Sequence, residues 1–190
     1  MDSTETPPAR PQYHIRRAEQ ADLPALATLN ALAFLGNRGD SHSSRDWVTS
    51  WMKAEGIYHY FLLVVYPPQQ TQGEIAGYIS WQLHGGFLRA QPVIELEQLT
   101  VADHYKGYNF GAILIEETRR EMTNWILGRN NRIESHIAFV VWCYAHNLKG
   151  LATYSKTFAD GVVGMRTMYG DRTELMYRHR VPMVREYPAQ

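Results

Sequence analysis

Cysteine is almost absent from this 190-residue sequence, which contains only one, Cys143. A single cysteine cannot form an internal disulfide, and by itself it cannot build a zinc site. The scarcity fits a reducing cytoplasm better than secretion, so we expect a cytoplasmic protein. We interpret Cys143 as a buried, unreactive residue and expect no metal at the functional site.

The sequence also lacks an excess of charge and a long apolar run. Lysine plus arginine and aspartate plus glutamate number 19 each, so no long-range field favours nucleic acid or an anionic membrane. No apolar run approaches the roughly 20 residues of a membrane-spanning helix. We therefore expect a soluble protein with neither a nucleic-acid nor a membrane partner. Oligomeric state cannot be read from the sequence, which leaves a homodimer open.

The chain divides into a polar, proline-rich start and one α/β domain. Residues 1–12 have the composition of a disordered tail, whereas residues 13–190 contain the periodic segments. An apolar fraction of 45% can supply a sizeable core. The patterns predict seven strands, at 13–17, 58–66, 74–84, 137–143, 162–169 and 173–181 and one that begins at 93. They also predict four helices: one at 21–35, one that runs from an N-cap at Ser44 to 55, one that carries the apolar stripe from Leu114 to Ile126, and one at 148–157.

A glycine-containing loop at 106–111 joins the fourth strand to the central helix. The first backbone N–H groups of a helix lack intrahelical partners, and the helix dipole adds partial positive charge at that end. Gly107 and Gly111 would let an anion approach the backbone closely. The segment 93–125 therefore predicts a site for the pyrophosphate of a nucleotide-like cofactor.

Two glutamates interrupt the apolar fourth strand. Glu95 and Glu97 are two residues apart, so they share one face of the strand. A partly buried pair of like charges raises the pKa of at least one member, toward the range that suits a general base. The alternative is a solvated pair that binds arginines on an exposed face.

Three segments, in this order, resemble the Gcn5-related N-acetyltransferase superfamily. IELEQLTVADHYKGYNFGAIL is similar to the fourth strand and pyrophosphate loop of that family, with Lys106, Asn109 and Gly111 at the motif positions. The spacing from Asn147 to Tyr154 resembles the family's helix near the thiol of coenzyme A, and GMRTMYGDRTELMYR is similar to the closing hairpin of protein N-terminal acetyltransferases. Lys106 and Asn109 depart from the commonest residues, although lysine keeps the cation and asparagine tolerates a positive φ.

The resemblance implies a mixed sheet of about seven strands, splayed between strands 4 and 5 and flanked by about four helices. It implies acetyl-CoA as cosubstrate, with no metal. The implied cofactor-binding residues are Leu99, Val101, Lys106, Gly107, Tyr108, Asn109, Phe110, Gly111, Ala112 and Asn147. The implied catalytic residues are Glu95 or Glu97 as the base, with Glu95 preferred, and Tyr154 as the acid that protonates the thiolate. Tyr154 could instead be an ordinary core tyrosine.

The sequence says less about the amine acceptor than about the cofactor. Trp81, Phe87 and Tyr169 are candidates for the acceptor groove, although a tryptophan such as Trp81 more often belongs to a core. The resemblance implies an N-acetyltransferase that acts on a primary amine, either a small molecule or a peptide amino group, by direct attack in a ternary complex. The alternative is a non-catalytic acyl-CoA sensor with the same fold. Trp142 stands where bacterial ribosomal-protein acetyltransferases carry a glutamate, which argues against that substrate.

Overall fold

A seven-stranded mixed sheet forms the centre of the computed structural model, which describes residues 11–35, 41–54, 56–68, 70–86, 88–168 and 172–183. The strand order is β1-β2-β3-β4-β5-β7-β6. The strands are β1 Gln12–Arg17, β2 Tyr58–Tyr66, β3 Glu74–His84, β4 Val93–Val101, β5 His136–Tyr144, β6 Gly161–Met168 and β7 Arg172–Pro182. Only β4 and β5 pair in parallel, and the other neighbours pair antiparallel. The predicted mixed sheet is confirmed, and β1 begins at Gln12, a residue that we had placed in the tail.

In the described part of the chain, four α-helices cover the two faces of the sheet: α1 Leu23–Asn30, α2 Ser41–Met52, α3 Phe110–Leu127 and α4 Leu148–Thr157. Helix α1 follows a 3-10 turn, has Pro24 in its first turn and continues into a π-helical turn at Ala31–Leu35. Proline suits the first turn because its missing N–H would have no intrahelical partner there. Within the described residues, no helix is both long and apolar enough to cross a membrane.

The predicted start of α2 was wrong. The helix begins at Ser41, so Ser44 lies inside it instead of capping it. Ser44 is buried, and its hydroxyl donates to Asn30 Oδ1 at 2.9 Å. Asn30 in turn donates to the Tyr78 hydroxyl at 2.8 Å, so a polar network fastens α1 and α2 to the sheet. A serine can cap a helix or form a buried hydrogen bond between two helices, and Ser44 does the second.

The larger of two cores lies between the sheet and helices α3 and α4. The apolar stripe of α3 is buried as predicted except for Trp125, which is partly buried, and it packs on β4 and β5 residues such as Ile94, Leu96 and Phe139. The smaller core lies on the other face, where Leu26 and Val48 of α1 and α2 pack on Leu62 of β2. Because residues alternate along a strand, the side chains between Ile94 and Leu96 of β4 point toward the α1–α2 face.

Two bulges interrupt this alternation. The pairing of β2 with β3 shifts between Leu63 and Val64, and Ala76 is the extra residue on β3. Ile75 therefore packs in the α1–α2 core, whereas Ile79 and Trp81 belong to the α3–α4 core. Strict alternation would place all three on one face, and a bulge of this kind is the reason that they are not. A second bulge makes Glu97 the extra residue on β4, since Leu96 pairs with Trp81 and Gln98 with Ser80.

Candidate active site

The parallel strands β4 and β5 separate halfway along their length. Their pairing runs from Val93 with Ala138 to Leu96 with Val141 and stops there, although β4 continues to Val101 and β5 to Tyr144. From Glu97 onward, the β5 side of β4 has no strand partner within the described ranges. The centre of the sheet thus contains an open cleft with backbone hydrogen-bonding groups along its wall. This is the splay that the resemblance implies.

The loop at the wide end of this cleft is held by two residues with positive φ. Gly107 has a φ of 95°, and Asn109, at 64°, is the only non-glycine residue with positive φ among those described. Asn109 is the N-cap of α3, but its side chain does not cap the helix. The first intrahelical bond there is that of Ile113 N–H to Asn109 C=O, so the N–H groups of the preceding turn remain free of intrahelical partners. Those donors, at the positive end of the helix dipole, are the candidate site for an anion, called the anion cradle below.

We expect Asn109→Val to disrupt this cradle and Asn109→Gly to preserve it. A β-branched residue in the left-handed region costs about 1–2 kcal/mol, whereas glycine enters that region without this penalty. Equilibrium unfolding should show the loss for the valine variant, with the glycine variant at or above wild type. Equal stability of the two variants would contradict the role of the backbone conformation.

The cation of the loop motif is already paired. Lys106 Nζ donates to the Asp103 carboxylate, and this ion pair is the main reason that the pKa of Asp103 is lowered. Lys149, from the first turn of α4, also contributes to lowering that pKa. Lys149 therefore lies near the loop, which the sequence could not show because the two residues are distant in the chain.

Asn147 and Tyr154 occupy the two ends of one helix. The Asn147 side chain caps α4 by accepting from Gly150 N–H at 3.0 Å, and Asn147 itself is exposed. This cap fixes the start of the helix that carries Tyr154. The Gly150 backbone lies against Cys143 of β5, because a Cβ at this glycine would be 3.0 Å from the Cys143 sulfur. A glycine at this position lets α4 approach the strand beside the cleft.

Tyr154 is buried beside the separated strands. It is 8% exposed, and its ring packs against Phe158 and Tyr177 with centroids 5.9 and 6.2 Å away. Burial, with a smaller effect from the nearby Cys143 thiol, raises the pKa of Tyr154 well above its usual value. The phenol is therefore protonated at neutral pH and retains a proton to donate. Cys143 is 4% exposed, and burial raises the pKa of its thiol, as expected for an unreactive residue.

On the opposite face of the sheet, Glu95, Glu97 and His84 form a cluster. One ligand atom from each lies within 4.8 Å of the others. His84 Nε2 is 2.7 Å from Glu95 Oε2, so this nitrogen carries the proton and donates to the carboxylate. A histidine and two carboxylates are residues that could hold a divalent ion, but a metal would have to displace this proton. The shared face of the two glutamates is as predicted, whereas the part played by His84 was missed.

The environment of Glu97 differs from that of Glu95. Burial is the largest effect on Glu97 and raises its pKa, and the negative charge of Glu95 raises it further. His84 and Arg166 oppose this rise. Glu97 has no hydrogen-bond partner among the described residues. A carboxylate held this way is more basic than usual and has lone pairs free to accept a proton.

Arg166 and Trp142 form the wall across the cleft from these glutamates. The Arg166 guanidinium lies over the Trp142 ring at 4.0 Å and donates from Nε to Glu174 at 2.7 Å. Trp142 is only partly buried, so its ring is accessible to the guanidinium. Arg166 comes from β6, and nothing in the local sequence signals that it reaches toward Glu97.

Two buried hydroxyls lie close to the acidic cluster. Tyr60 and Ser80 are paired across β2 and β3, and neither hydroxyl oxygen has a hydrogen-bond partner of acceptable geometry among the described residues. Burial raises the pKa of Tyr60 far above its usual value, and the charge of Glu97 contributes to that rise. A buried unsatisfied hydroxyl costs about 1–3 kcal/mol. Ser80 opposes part of the rise in the pKa of Tyr60, so the two hydroxyls lie close to each other.

One acceptor-site prediction is corrected, and two cannot be checked. Trp81 is fully buried in the α3–α4 core, where its indole N–H donates to Thr118 Oγ1 at 2.8 Å. Trp81 pairs with Leu96 and packs in the same core, on the face of the sheet opposite to Glu97, so it does not line an acceptor site there. Phe87 and Tyr169, the other two candidates, lie outside the described residues.

Solved structures of other proteins share this fold. No protein-family model matches the sequence, and no curated protein sequence matches it significantly. Ribosomal-protein-S18-alanine N-acetyltransferase from Escherichia coli superposes with a TM-score of 0.62 at 17% identity, covering 94% of this chain and 100% of that chain. Arabidopsis thaliana NAA60, solved with acetyl-CoA, gives a TM-score of 0.63 at 13% identity, with 90% and 99% covered. Spermidine N-acetyltransferase from Vibrio cholerae, solved with CoA and spermine, gives 0.60 at 15% identity, with 90% and 95% covered. The chain therefore adopts the fold of the Gcn5-related N-acetyltransferases.

Proposed function

We propose that this protein is an N-acetyltransferase that transfers the acetyl group of acetyl-CoA to a primary amine by direct attack in a ternary complex. The observation that carries the proposal is the end of the β4–β5 pairing at Leu96 and Val141. It opens a cleft with the anion cradle at one end, Tyr154 on one face and Glu97 on the other. Neighbours with this fold were solved with acetyl-CoA, or with CoA and an amine.

The cleft has the donors and acceptors that a coenzyme A molecule needs. The free N–H groups in the first turn of α3, after Asn109, would hold the pyrophosphate. The unpaired edge of β4 at Leu99 and Val101 would bond the pantetheine amides as an added strand would. Lys106 is held by Asp103, so it would serve as a secondary contact, whereas Asn147 would act by positioning α4.

Glu97 is the better candidate for the general base. An ammonium group has no lone pair with which to attack a thioester, so the acceptor must first lose a proton. Glu97 combines a raised pKa with unoccupied lone pairs, whereas Glu95 already accepts a hydrogen bond from His84. We therefore transfer the preferred role from Glu95 to Glu97. Glu95 and His84 would then be positioning residues that set the charge around the base.

Tyr154 is the candidate general acid. When the amine attacks the carbonyl carbon of the thioester, the C–S bond breaks and the sulfur leaves with its electron pair. The Tyr154 phenol would supply the proton for that thiolate, since its raised pKa keeps it protonated. This assignment leaves the acid and the base on opposite faces of the sheet, so neither neutralises the other before the reaction.

A thiol-release assay with acetyl-CoA and a panel of amines tests the proposal. The panel should contain polyamines, aminoglycosides and short peptides with free amino termini. Acceptor-dependent release of free thiol, with the acetylated amine identified by mass, is the expected result. Tight binding of acetyl-CoA without turnover on any acceptor would favour the alternative, a non-catalytic acyl-CoA sensor. The sensor alternative is supported by one observation: Lys106 is bound to Asp103, so the anion cradle depends on backbone N–H groups alone.

The charge of Glu95 should appear in the pH dependence of the reaction. Because that charge raises the pKa of Glu97, Glu95→Gln should lower it. The acidic limb of the kcat/KM profile, where the base becomes protonated, should therefore move to lower pH in the variant. A limb that stays in place or moves to higher pH would show that Glu97 is not the titrating group.

A further inference from the structure

A second concave site lies near the β1 edge of the sheet, two strands away from the cleft. It occupies about 470 Å³ where β2 extends beyond the end of β1, beside the C-terminal end of α3. Its lining includes Arg17, Tyr58, His59, Trp125 and Arg129. None of these residues has a role in the proposed acetyl transfer, and the cavity does not touch β4 or β5.

His59 supplies a buried donor that nothing in the described chain satisfies. It is 7% exposed, and burial together with Arg17 and Arg129 lowers its pKa to about 4, so the ring is neutral at physiological pH. His59 Nδ1 lies 3.2 Å from Arg17 Nη1, and a guanidinium can only donate, so Nδ1 must accept. The single ring proton is therefore on Nε2, which is buried and has no hydrogen-bond partner.

Two guanidiniums flank this donor, and one of them has no carboxylate partner. Arg17 Nε donates to Glu121 at 2.7 Å, so part of its charge is compensated. The Arg129 guanidinium lies 4.8 Å above the centre of the Trp125 ring and makes no ion pair within the described residues. The Trp125 ring also contacts His59, with centroids 4.2 Å apart. The cavity is thus lined by two guanidiniums and the His59 ring, beside the aromatic wall of Trp125.

We propose that this cavity is a binding site for a small oxyanion, a carboxylate or a phosphate. His59 Nε2–H and the Arg129 guanidinium donate to its oxygens, and Arg17 holds His59 in the tautomer that donates. An oxyanion is the complementary ligand because it has several acceptor lone pairs and offsets the positive charge. A buried donor without a partner is destabilising, and such a ligand would supply the missing acceptor. None of the three proposed donors takes part in the proposed acetyl transfer, so the test does not depend on the proposed function.

Nuclear magnetic resonance titration of the full chain tests the proposal. The probes are inorganic phosphate and acetate, each added at constant ionic strength with chloride as the reference anion. The reporters are the His59 Nε2–H and the Trp125 indole N–H, which sense this cavity and not the cleft. We expect saturable shifts of both reporters with at least one probe, and the comparison of the two probes identifies the preferred oxyanion.

Matched variants separate a specific site from general attraction to arginines. Arg129→Met should weaken the binding of the preferred probe by about tenfold, as expected for the loss of one charge-assisted hydrogen bond. Arg132→Met removes an exposed arginine three residues away that does not line the cavity, and it should leave the affinity unchanged. His59→Phe preserves a ring against Trp125 and should also weaken binding. Shifts that do not saturate with either probe, or equal affinities of the Arg129 and Arg132 variants, would overturn the proposal.

Discussion

Glu97→Gln is expected to reduce kcat/KM for the amine acceptor by about 100-fold or more, the usual contribution of a general base. The amide occupies the same volume but cannot accept the proton. Because the proposed defect is one of proton removal, it should shrink as the pH rises and the free amine deprotonates by itself. A pH series of thiol release measures both effects.

The same substitution should stabilise the folded protein at neutral pH. Burial raises the pKa of Glu97 in the fold above its ordinary value of 4.5, so the ionised form favours the unfolded chain. The stability that the protonated group contributes is present below that ordinary value and is lost as the pH rises through the folded pKa. Denaturant unfolding should therefore show a more stable variant near pH 7, with a difference that disappears in acid.

Glu134→Gln is the matched control, since Glu134 is an exposed glutamate before β5 and makes no ion pair among the described residues. It should change neither turnover nor stability. If Glu97→Gln lowers both activity and stability, the residue supports the structure and is not the base. If the Glu97 variant keeps wild-type turnover, the proton leaves the amine by another route.

Tyr154→Phe should reduce kcat by about 100-fold or more without raising KM for acetyl-CoA, because it removes only the proposed proton donor. Phenylalanine keeps the ring and its contacts with Phe158 and Tyr177. Steady-state kinetics with acetyl-CoA as the varied substrate measures the separation of kcat from KM. Thermal unfolding should be close to that of the wild type.

Tyr177→Phe provides the comparison, because Tyr177 is a buried tyrosine of β7 in ring contact with Tyr154. It removes a hydroxyl from the same cluster but not the proposed acid. Loss of activity in the Tyr154 variant alone supports the assignment. Equal losses in both variants would instead indicate a packing effect, and unchanged turnover in the Tyr154 variant would exclude it as the acid.

The order of strands and helices follows from periodicity, because strongly patterned segments determine their own structure. The strand 58–66 and the helix 148–157 have the predicted bounds. The predictions that were wrong concern residues whose position depends on a tertiary contact. Ser44 bonds Asn30 inside α2, and the Ala76 bulge moves Ile75 to the other face. Bulges and buried polar bonds depend on partners distant in sequence, and local patterns do not encode them.

In the candidate site too, some features follow from the local sequence and others depend on distant strands. Asn109 accepts a positive φ, as its residue type allows, and the two glutamates share a face because alternation requires it. The pairing of His84 with Glu95 and the position of Arg166 come from other strands, so the sequence did not indicate them. The preferred base changed from Glu95 to Glu97 for this reason, since the difference between the two depends on those neighbours.

The early end of the β4–β5 pairing also has a mechanical consequence. The sheet consists of a four-stranded part, β1 to β4, and a three-stranded part, β5 to β7, and the strand pairing that joins them spans four residue pairs at one end. The α3–α4 core packs against both parts and is the second connection between them. A ligand in the gap would bond to both parts. Binding would therefore stiffen the whole sheet by completing a ladder that the chain leaves unfinished.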